Sequence, residues 1–314
     1  MKKTIKITAA ILVPVGLFLL YVQLSYKRVF ETPATTGISA RSDSATVERG
    51  KYLVLGAAHC YTCHMPDSLL QKGMKEPMIG GYVFDTPFAQ FNTPNLTSDK
   101  ETGVGSYTDE QLARAVRYHI NHDGYAMVGF MSYNAMSDDD LTAVVSYLRT
   151  VPPVKNKVPS HNYNMLGKIL MRFVIEPVQA EVVNFTPDST ADYGKYLAHS
   201  VTNCNGCHTK RDGAGQLTGK PMAGGNTWDY ADAVYTSPNL TFNDSTGRIT
   251  HWSQQDFIRR FRTGKVFPHT PMPWGAYQTL SDSDLSALYK FFKSLPPVHN
   301  EIKETYSPKN KTSI

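Results

Sequence analysis

A five-residue pattern, Cys-x-x-Cys-His, occurs twice in this 314-residue chain and uses all four of its cysteines: Cys60-Tyr61-Thr62-Cys63-His64 and Cys204-Asn205-Gly206-Cys207-His208. The two lie 144 residues apart, and the same offset relates much of the sequence around them. Gly50-Lys51-Tyr52-Leu53 returns as Gly194-Lys195-Tyr196-Leu197, and Gly80-Gly81 as Gly224-Gly225. Thr93-Pro94-Asn95-Leu96-Thr97 returns as Ser237-Pro238-Asn239-Leu240-Thr241, Thr102-Gly103 as Thr246-Gly247, and Pro152-Pro153-Val154 as Pro296-Pro297-Val298. Chance does not hold one register over such a distance. The repeat is too long for a solenoid unit, so it is a duplicated domain, with copies at 46–154 and 190–298. A linker, 155–189, joins them and a polar tail, 299–314, follows. Two domains also match what this chain length allows.

Each copy reads as helical. Residues 46–59 and 190–203 lead into the first cysteine with helix-favouring composition. Thr108-Asp109-Glu110-Gln111 and Ser253-Gln254-Gln255-Asp256 have the form of capping boxes, in which a hydroxyl caps the helix and a side chain three residues on reaches back. Leu112 and Val116, like Phe257 and Phe261, follow at helical spacing. Ser137-Asp138-Asp139-Asp140 and Ser281-Asp282-Ser283-Asp284 open the last helix of each copy, and a di-proline closes it. In the linker, Met165 to Ile175 has apolar helical spacing with Lys168 and Arg172 opposite, which suits a short docked helix. No alternating run is long enough to argue for a sheet. The expected class is all-α: two tandem small helical domains behind an N-terminal transmembrane helix.

That last expectation rests on residues 1–30. Residues 7–22 (ITAAILVPVGLFLLYV) carry no charge and stand behind Lys2, Lys3 and Lys6. Sixteen residues reach roughly 24 Å as a helix, and extension from Ile5 through Leu24 approaches a bilayer span of ~30 Å. Basic residues ahead of the run place the N-terminus inside and the domains outside, and no small-residue cleavage site directly follows it. The reading is a signal-anchor, with the protein held at the cytoplasmic membrane and its domains in the periplasm or on the outer face. Lys2, Lys3, Lys6, Lys27 and Arg28 account for the whole net charge of +5, so residues 31–314 balance to zero. A nucleic-acid surface needs a concentrated basic face, and none is expected. With 41% hydrophobic residues the chain can bury a core, which excludes a disordered protein.

The paired motif is the attachment pattern of a c-type haem. Two thiols one helical turn apart can bond the two vinyl groups of one porphyrin, and the adjacent histidine then ligates the iron. Competing readings are weaker. Thioredoxin-like dithiols need no histidine after each pair, a four-cysteine zinc site would have to join separate copies, and a disulfide across two residues closes little loop entropy. The expectation is two covalently bound haem c groups, held by Cys60 and Cys63, and by Cys204 and Cys207, with His64 and His208 as iron ligands.

A thioether as sixth ligand raises the potential and leaves no open coordination site. In the second copy the candidate is Met272, on the proline-braced loop Pro271-Met272-Pro273 before the last helix. Strict register puts Val128 opposite it, flanked by Met127 and Met131. Shared landmarks favour Met131, because Met131-Ser132-Tyr133 then aligns with Met272-Pro273-Trp274. Met127 is next, and His119 and His122 are rivals whose plainer reading is a surface imidazole. His59 and His199, ahead of the motifs, are expected to face solvent or a propionate. Met222 reads as core or loop. Asn95 and Asn239 read equally as turn formers and as hydrogen-bond donors near a haem.

Paired Cys-x-x-Cys-His domains with Pro-Asn-Leu-Thr, Thr-Gly, an aromatic (Tyr107, Trp252), a Met-aromatic loop and a Ser-Asp-x-Asp-Leu helix resemble the di-haem cytochromes c, in particular the cytochrome c subunits of membrane-bound alcohol and gluconate dehydrogenases. The resemblance covers both copies. It implies tandem cytochrome c domains, and an electron-transfer protein instead of an enzyme. Such a protein would move single electrons between a periplasmic donor dehydrogenase and a respiratory acceptor, with both haems His/Met ligated. Two departures stand out: those subunits typically carry three haems, and Ser132 stands where proline usually follows the ligand methionine. A di-haem peroxidase with one haem open to substrate is the alternative. Haem propionates would leave the loaded domains mildly acidic despite a sequence pI of 8.8.

Overall fold

The structure, a computed structural model, describes residues 2–31, 37–212, 215–267 and 269–309, and of residues 2–9 and 11 the backbone alone. In chain order the helices are α1 (Lys2–Ser25), α2 (Ser44–Tyr52), α3 (Asp67–Leu70), α4 (Asp109–Tyr118), α5 (Asp138–Thr150), α6 (Met165–Phe173), α7 (Ala191–Tyr196), α8 (Cys204–His208), α9 (Gln254–Thr263), α10 (Trp274–Tyr277) and α11 (Asp282–Ser294). The strands are β1 (Val83–Asp85), β2 (Ala89–Asn92), β3 (Asn162–Tyr163), β4 (Thr227–Asp229), β5 (Ala233–Thr236) and β6 (Tyr306–Pro308). By packing, the chain divides into two compact units. One combines Met1–Arg41, Cys63–Asn134 and Val145–Ala180; the other combines Ser42–Thr62, Ala135–Val144 and Glu181–Ile314.

The strands correct the all-α expectation. They pair antiparallel into two small sheets, ordered β1-β2-β3 and β4-β5-β6. Phe84 faces Phe91 and Ala89 faces Tyr163 in the first; Trp228 faces Tyr235 and Tyr235 faces Tyr306 in the second. Strands of two to four residues carry too little alternation to be read from sequence. The third strand of each sheet comes from the linker and from the tail. Asn162 and Tyr306, which open those strands, again stand 144 residues apart, so the structural repeat extends beyond the di-prolines.

The transmembrane helix and membrane anchoring are corrected as well. Among the described residues no helix is long and apolar enough to cross a membrane. Three lysines take the first turns of α1, and Pro14, Gly16, Tyr21, Gln23 and Ser25 dilute the rest. Its C-terminal turns pack on α6 instead. Val22 is fully buried, Phe18 stacks on Phe173 at 6.0 Å, and the Arg172 guanidinium donates to the Tyr21 hydroxyl at 2.5 Å. Lys168 donates to Gln23 at 2.7 Å. The polar stripe of α6 therefore meets polar atoms of α1, while Gly167 and Met171 turn to the protein.

In this unit α4 begins with the expected capping box, Thr108 accepting from the Gln111 amide while the Gln111 side chain accepts from Thr108 N–H. Arg149 on α5 donates to Asp109 at 2.7 Å and to the Tyr107 carbonyl at 2.5 Å, which fixes the start of α4.

In the other unit α7 and α11 cross closely. A Cβ on Gly194 would lie 2.0 Å from the Ala287 carbonyl oxygen, so only glycine permits the crossing. Tyr193 on α7 and Leu285, Leu288 and Phe292 on α11 are buried, and Phe257 on α9 packs its ring 6.0 Å from Phe292. The capping box of α9 is also formed, by Ser253 and Asp256. A polar cluster lies within this apolar unit. Tyr52 donates to Asp284 at 2.5 Å and Tyr196 donates to Asp140 at 2.7 Å, while Arg49 holds both oxygens of Asp140, at 2.8 and 3.0 Å.

Candidate cofactor sites

Both cysteine motifs are reached the same way. The leading helices, α2 and α7, widen into π turns over Leu53–Ala57 and Leu197–Val201, shorter as α-helix than the sequence suggested. The chain then breaks at a left-handed residue just before the first cysteine, His59 (φ 41) and Asn203 (φ 51). Cys60–Thr62 forms a 3₁₀ turn, and Cys204–His208 is the short helix α8. None of the four cysteines is in a disulfide. Among the described residues no cluster of three or more His, Cys, Asp or Glu could hold a metal ion.

Each motif histidine is oriented by the repeated Pro-Asn-Leu-Thr loop. His64 Nδ1 lies 3.1 Å from the Pro94 carbonyl, and His208 Nδ1 lies 3.0 Å from the Pro238 carbonyl. This bond puts the proton on Nδ1 and leaves Nε2 as the ligating nitrogen. A glycine makes the approach possible. Gly80 (φ 72) donates to the His64 carbonyl, and a Cβ there would lie 2.5 Å from Pro94; Gly224 (φ 74) does the same for His208, 2.4 Å from the Ser237 oxygen. Burial lowers the pKa of both histidines, opposed by the bond to the proline carbonyl. They are thus held as neutral imidazoles, the ligating form.

Asn95 and Asn239 do not serve the motif histidines directly. Asn95 donates to the Val154 carbonyl at 2.9 Å and accepts from the Thr97 amide at 2.9 Å; Asn239 donates to Val298 at 2.8 Å and accepts from Thr241 at 2.9 Å. Their role is to tie the loop to the segment after the di-proline, and so to hold the proline carbonyl in place.

In the second copy Cys204, Cys207, His208 and Met272 line one cavity, walled by Trp228, Trp252, Phe257, Phe261, Trp274 and Phe292. Burial pushes the Cys204 thiol up to about 11, partly offset by the Thr202 hydroxyl, and burial also raises Cys207. Such thiols are poor nucleophiles at neutral pH, unlike redox-active dithiols. The donor set and the flat aromatic walls fit a haem c.

In the first copy Met131 is half-buried on the coil after Phe130, and Met127, also half-buried, donates its amide to the His119 carbonyl at 2.7 Å. His122 is exposed as expected, its ring stacked 4.1 Å from Tyr107. His119 departs from the surface expectation. It is 4% exposed, left-handed (φ 54), and neither ring nitrogen has a hydrogen-bond partner among the described residues. Burial lowers its pKa, and the nearby Met131 backbone opposes that shift without an aligned hydrogen bond to the ring. One signal was available: in the capping-box register His119 stands where the second copy has Gly264.

His59 and His199 also turn inward. His59 packs edge-on to Tyr277 at 5.4 Å, and burial lowers its pKa to about 4; His199 packs against Phe291 at 5.7 Å. Met222 is fully buried.

Residues 47–152, nearly the whole first copy, match the cytochrome c family. The chain is a relative of the cytochromes c. It is 30% identical over 281 residues to the cytochrome c subunit of a quinone-dependent alcohol dehydrogenase of Gluconobacter oxydans, covering 82% of this chain and 56% of that one. It is equally similar to the gluconate 2-dehydrogenase cytochrome c subunit of Pantoea cypripedii, covering 81% and 60%. A "Diheme cytochrome c-type" protein of Cereibacter sphaeroides is 24% identical over 267 residues, with 78% of this chain and 84% of that one aligned. This chain thus spans a little over half the length of the two dehydrogenase subunits. The resemblance read from the motifs holds, and the family carries covalently bound haem c.

Proposed function

We propose that the chain is a di-haem electron-transfer protein, one haem c on Cys60 and Cys63 with His64 as ligand, the other on Cys204 and Cys207 with His208. Met272 and Met131 are the sixth ligands. The two copies, 46–154 and 190–298, are the haem domains. The donor is a dehydrogenase of the kind to which the relatives belong, and the acceptor is a respiratory electron carrier.

The observation that carries this reading is the second cavity, where one thioether and one oriented imidazole stand with both attachment thiols inside an aromatic wall. A haem c bound there supplies a one-electron carrier. The chain's own residues do the rest. Pro238 orients His208, Met272 would offer its thioether to the iron, and the aromatic walls would keep water, oxygen and peroxide from it.

A second reading, a peroxidase with one open or differently ligated iron, draws on His119, whose buried ring nitrogens have no hydrogen-bond partner among the described residues. The test is to count the methionine–iron charge-transfer band per haem in the oxidised protein, alongside peroxide turnover. The relay predicts two Met-ligated irons and no turnover. Met131→Ala should abolish one band and His119→Gly neither. A band lost only in Met127→Ala, or a single band with peroxide turnover, overturns the assignment.

A further inference from the structure

Two arginines line the second cavity without an acidic partner. Arg260, on α9, is held half-buried with its guanidinium carbon 3.6 Å from the centre of the Trp274 ring and Nη1 donating to the Gly264 carbonyl at 2.7 Å. Arg248 lines the same cavity from the loop after Gly247. Among the described residues neither makes an ion pair, whereas their neighbours Arg259 and Arg262 do, with Asp256 and Asp282. The charge of Arg248 and partial burial both push the Arg260 pKa down, burial more strongly. Arg248 is itself exposed, but its charge acts on the half-buried Arg260, and an anion joining the two would relieve that repulsion.

The first copy lacks this pair. In the registers set by Thr-Gly and by the capping boxes, Arg248 corresponds to Val104 and Arg260 to Ala115. Arg259 and Arg262, by contrast, have counterparts in Arg114 and Arg117. The two cations are therefore a property of the second cavity and not of the domain in general.

We propose that Arg248 and Arg260 form a carboxylate-binding subsite of the second cavity that receives the propionates of its haem and biases that iron toward its reduced form. This rests on the haem reading above. The bias follows from charge alone: reduction removes one positive charge, and nearby cations favour the less positive state. Trp274 fixes the Arg260 head, so the charge is held in place and does not wander.

The test is a spectroelectrochemical titration of the haem-loaded full chain. The second haem's wave is identified as the one that Met272→His displaces. In Arg260→Gln and in Arg248→Gln that wave should move to lower potential and the other stay in place. Arg259→Gln, which removes the same charge from an exposed neighbour, should move neither, and Arg260→Lys should recover part of the shift. No movement in either glutamine variant, with two haems attached, overturns the proposal. Because Arg248 is exposed, its variant keeps the test open should Arg260→Gln fail to fold. Titrating the wild type with inorganic phosphate at constant ionic strength separates the anion's source. A subsite filled by propionates leaves the wave unmoved, and a phosphate-dependent wave means a solution anion site and overturns the assignment. Intact mass distinguishes the deeper failure: no haem on Cys204 and Cys207 removes the haem reading, and this proposal with it.

Discussion

The Tyr52 hydroxyl donates to Asp284 at 2.5 Å, and the residues 144 positions away in the opposite sense repeat the bond, Tyr196 to Asp140 at 2.7 Å. Each tyrosine oxygen also accepts an amide, from Ser281 at 2.9 Å and Ser137 at 3.1 Å, at the N-terminus of the helix whose first turn carries its partner carboxylate. The exchange of partners between copies has the form of a two-fold contact, in which i meets j and j meets i.

Tyr52→Phe should therefore cost about 1.5–3 kcal/mol, the range for a hydrogen bond to a charged group. Burial raises the pKa of Asp284, and the Tyr52 bond is the main effect opposing it. A carboxylate with a raised native pKa is destabilising once ionised, so its contribution worsens as pH rises through that pKa. Removing Tyr52 raises the pKa further. Urea unfolding should show a Tyr52→Phe deficit that is larger at pH 7 than in acid, once the carboxyl is protonated; an equal deficit at both contradicts the assignment.

His59→Asn should flatten the acid side of the stability profile. Burial lowers His59 to about 4, against an ordinary value of about 6.5. Its neutral form is required in the native state, so stability is complete above about 6.5 and falls as pH drops toward 4, by at most about 1.4 kcal/mol per pH unit. Asparagine already occupies the same left-handed position in the second copy, Asn203. Unfolding midpoints at pH 7 and pH 5 should differ less in the variant than in the wild type.

Gly224→Ala should do more damage than Gly225→Ala. Both positions have positive φ, 74 and 98, and each incurs backbone strain of about 1–3 kcal/mol. Only at Gly224 does a Cβ meet backbone at 2.4 Å; at Gly225 the nearest atom is 3.6 Å away. Thermal melts should rank the two. Haem content per chain should fall further in Gly224→Ala, since the displaced loop carries the Pro238 carbonyl that orients His208.

Asn239→Ala removes the bonds to Val298 and Thr241 and should lower stability by about 1–3 kcal/mol. The absorption spectrum of the loaded protein should stay unchanged. A spectral shift with unaltered stability would instead put the asparagine amide at the haem.

Residue chemistry and periodicity made the duplication, the helix caps and the attachment motifs legible, because each is local. Thr108 with Gln111 and Ser253 with Asp256 are capping boxes in sequence and in space. Strands such as Asn162–Tyr163 were not legible, since two residues have no period and their partner lies some seventy residues away. The burial of His119 is not legible for a similar reason. A histidine following a helix end looks solvated until the returning loop, 126–131, covers it. In α1, apolar composition overstated what the helix could do, because its polar residues meet α6.

Intact mass of the full chain, produced with haem-attachment machinery, tests the central claim most directly. The account predicts the polypeptide plus two haem groups, reduced to one by Cys204→Ala/Cys207→Ala. A wild-type mass with one haem or none would contradict it.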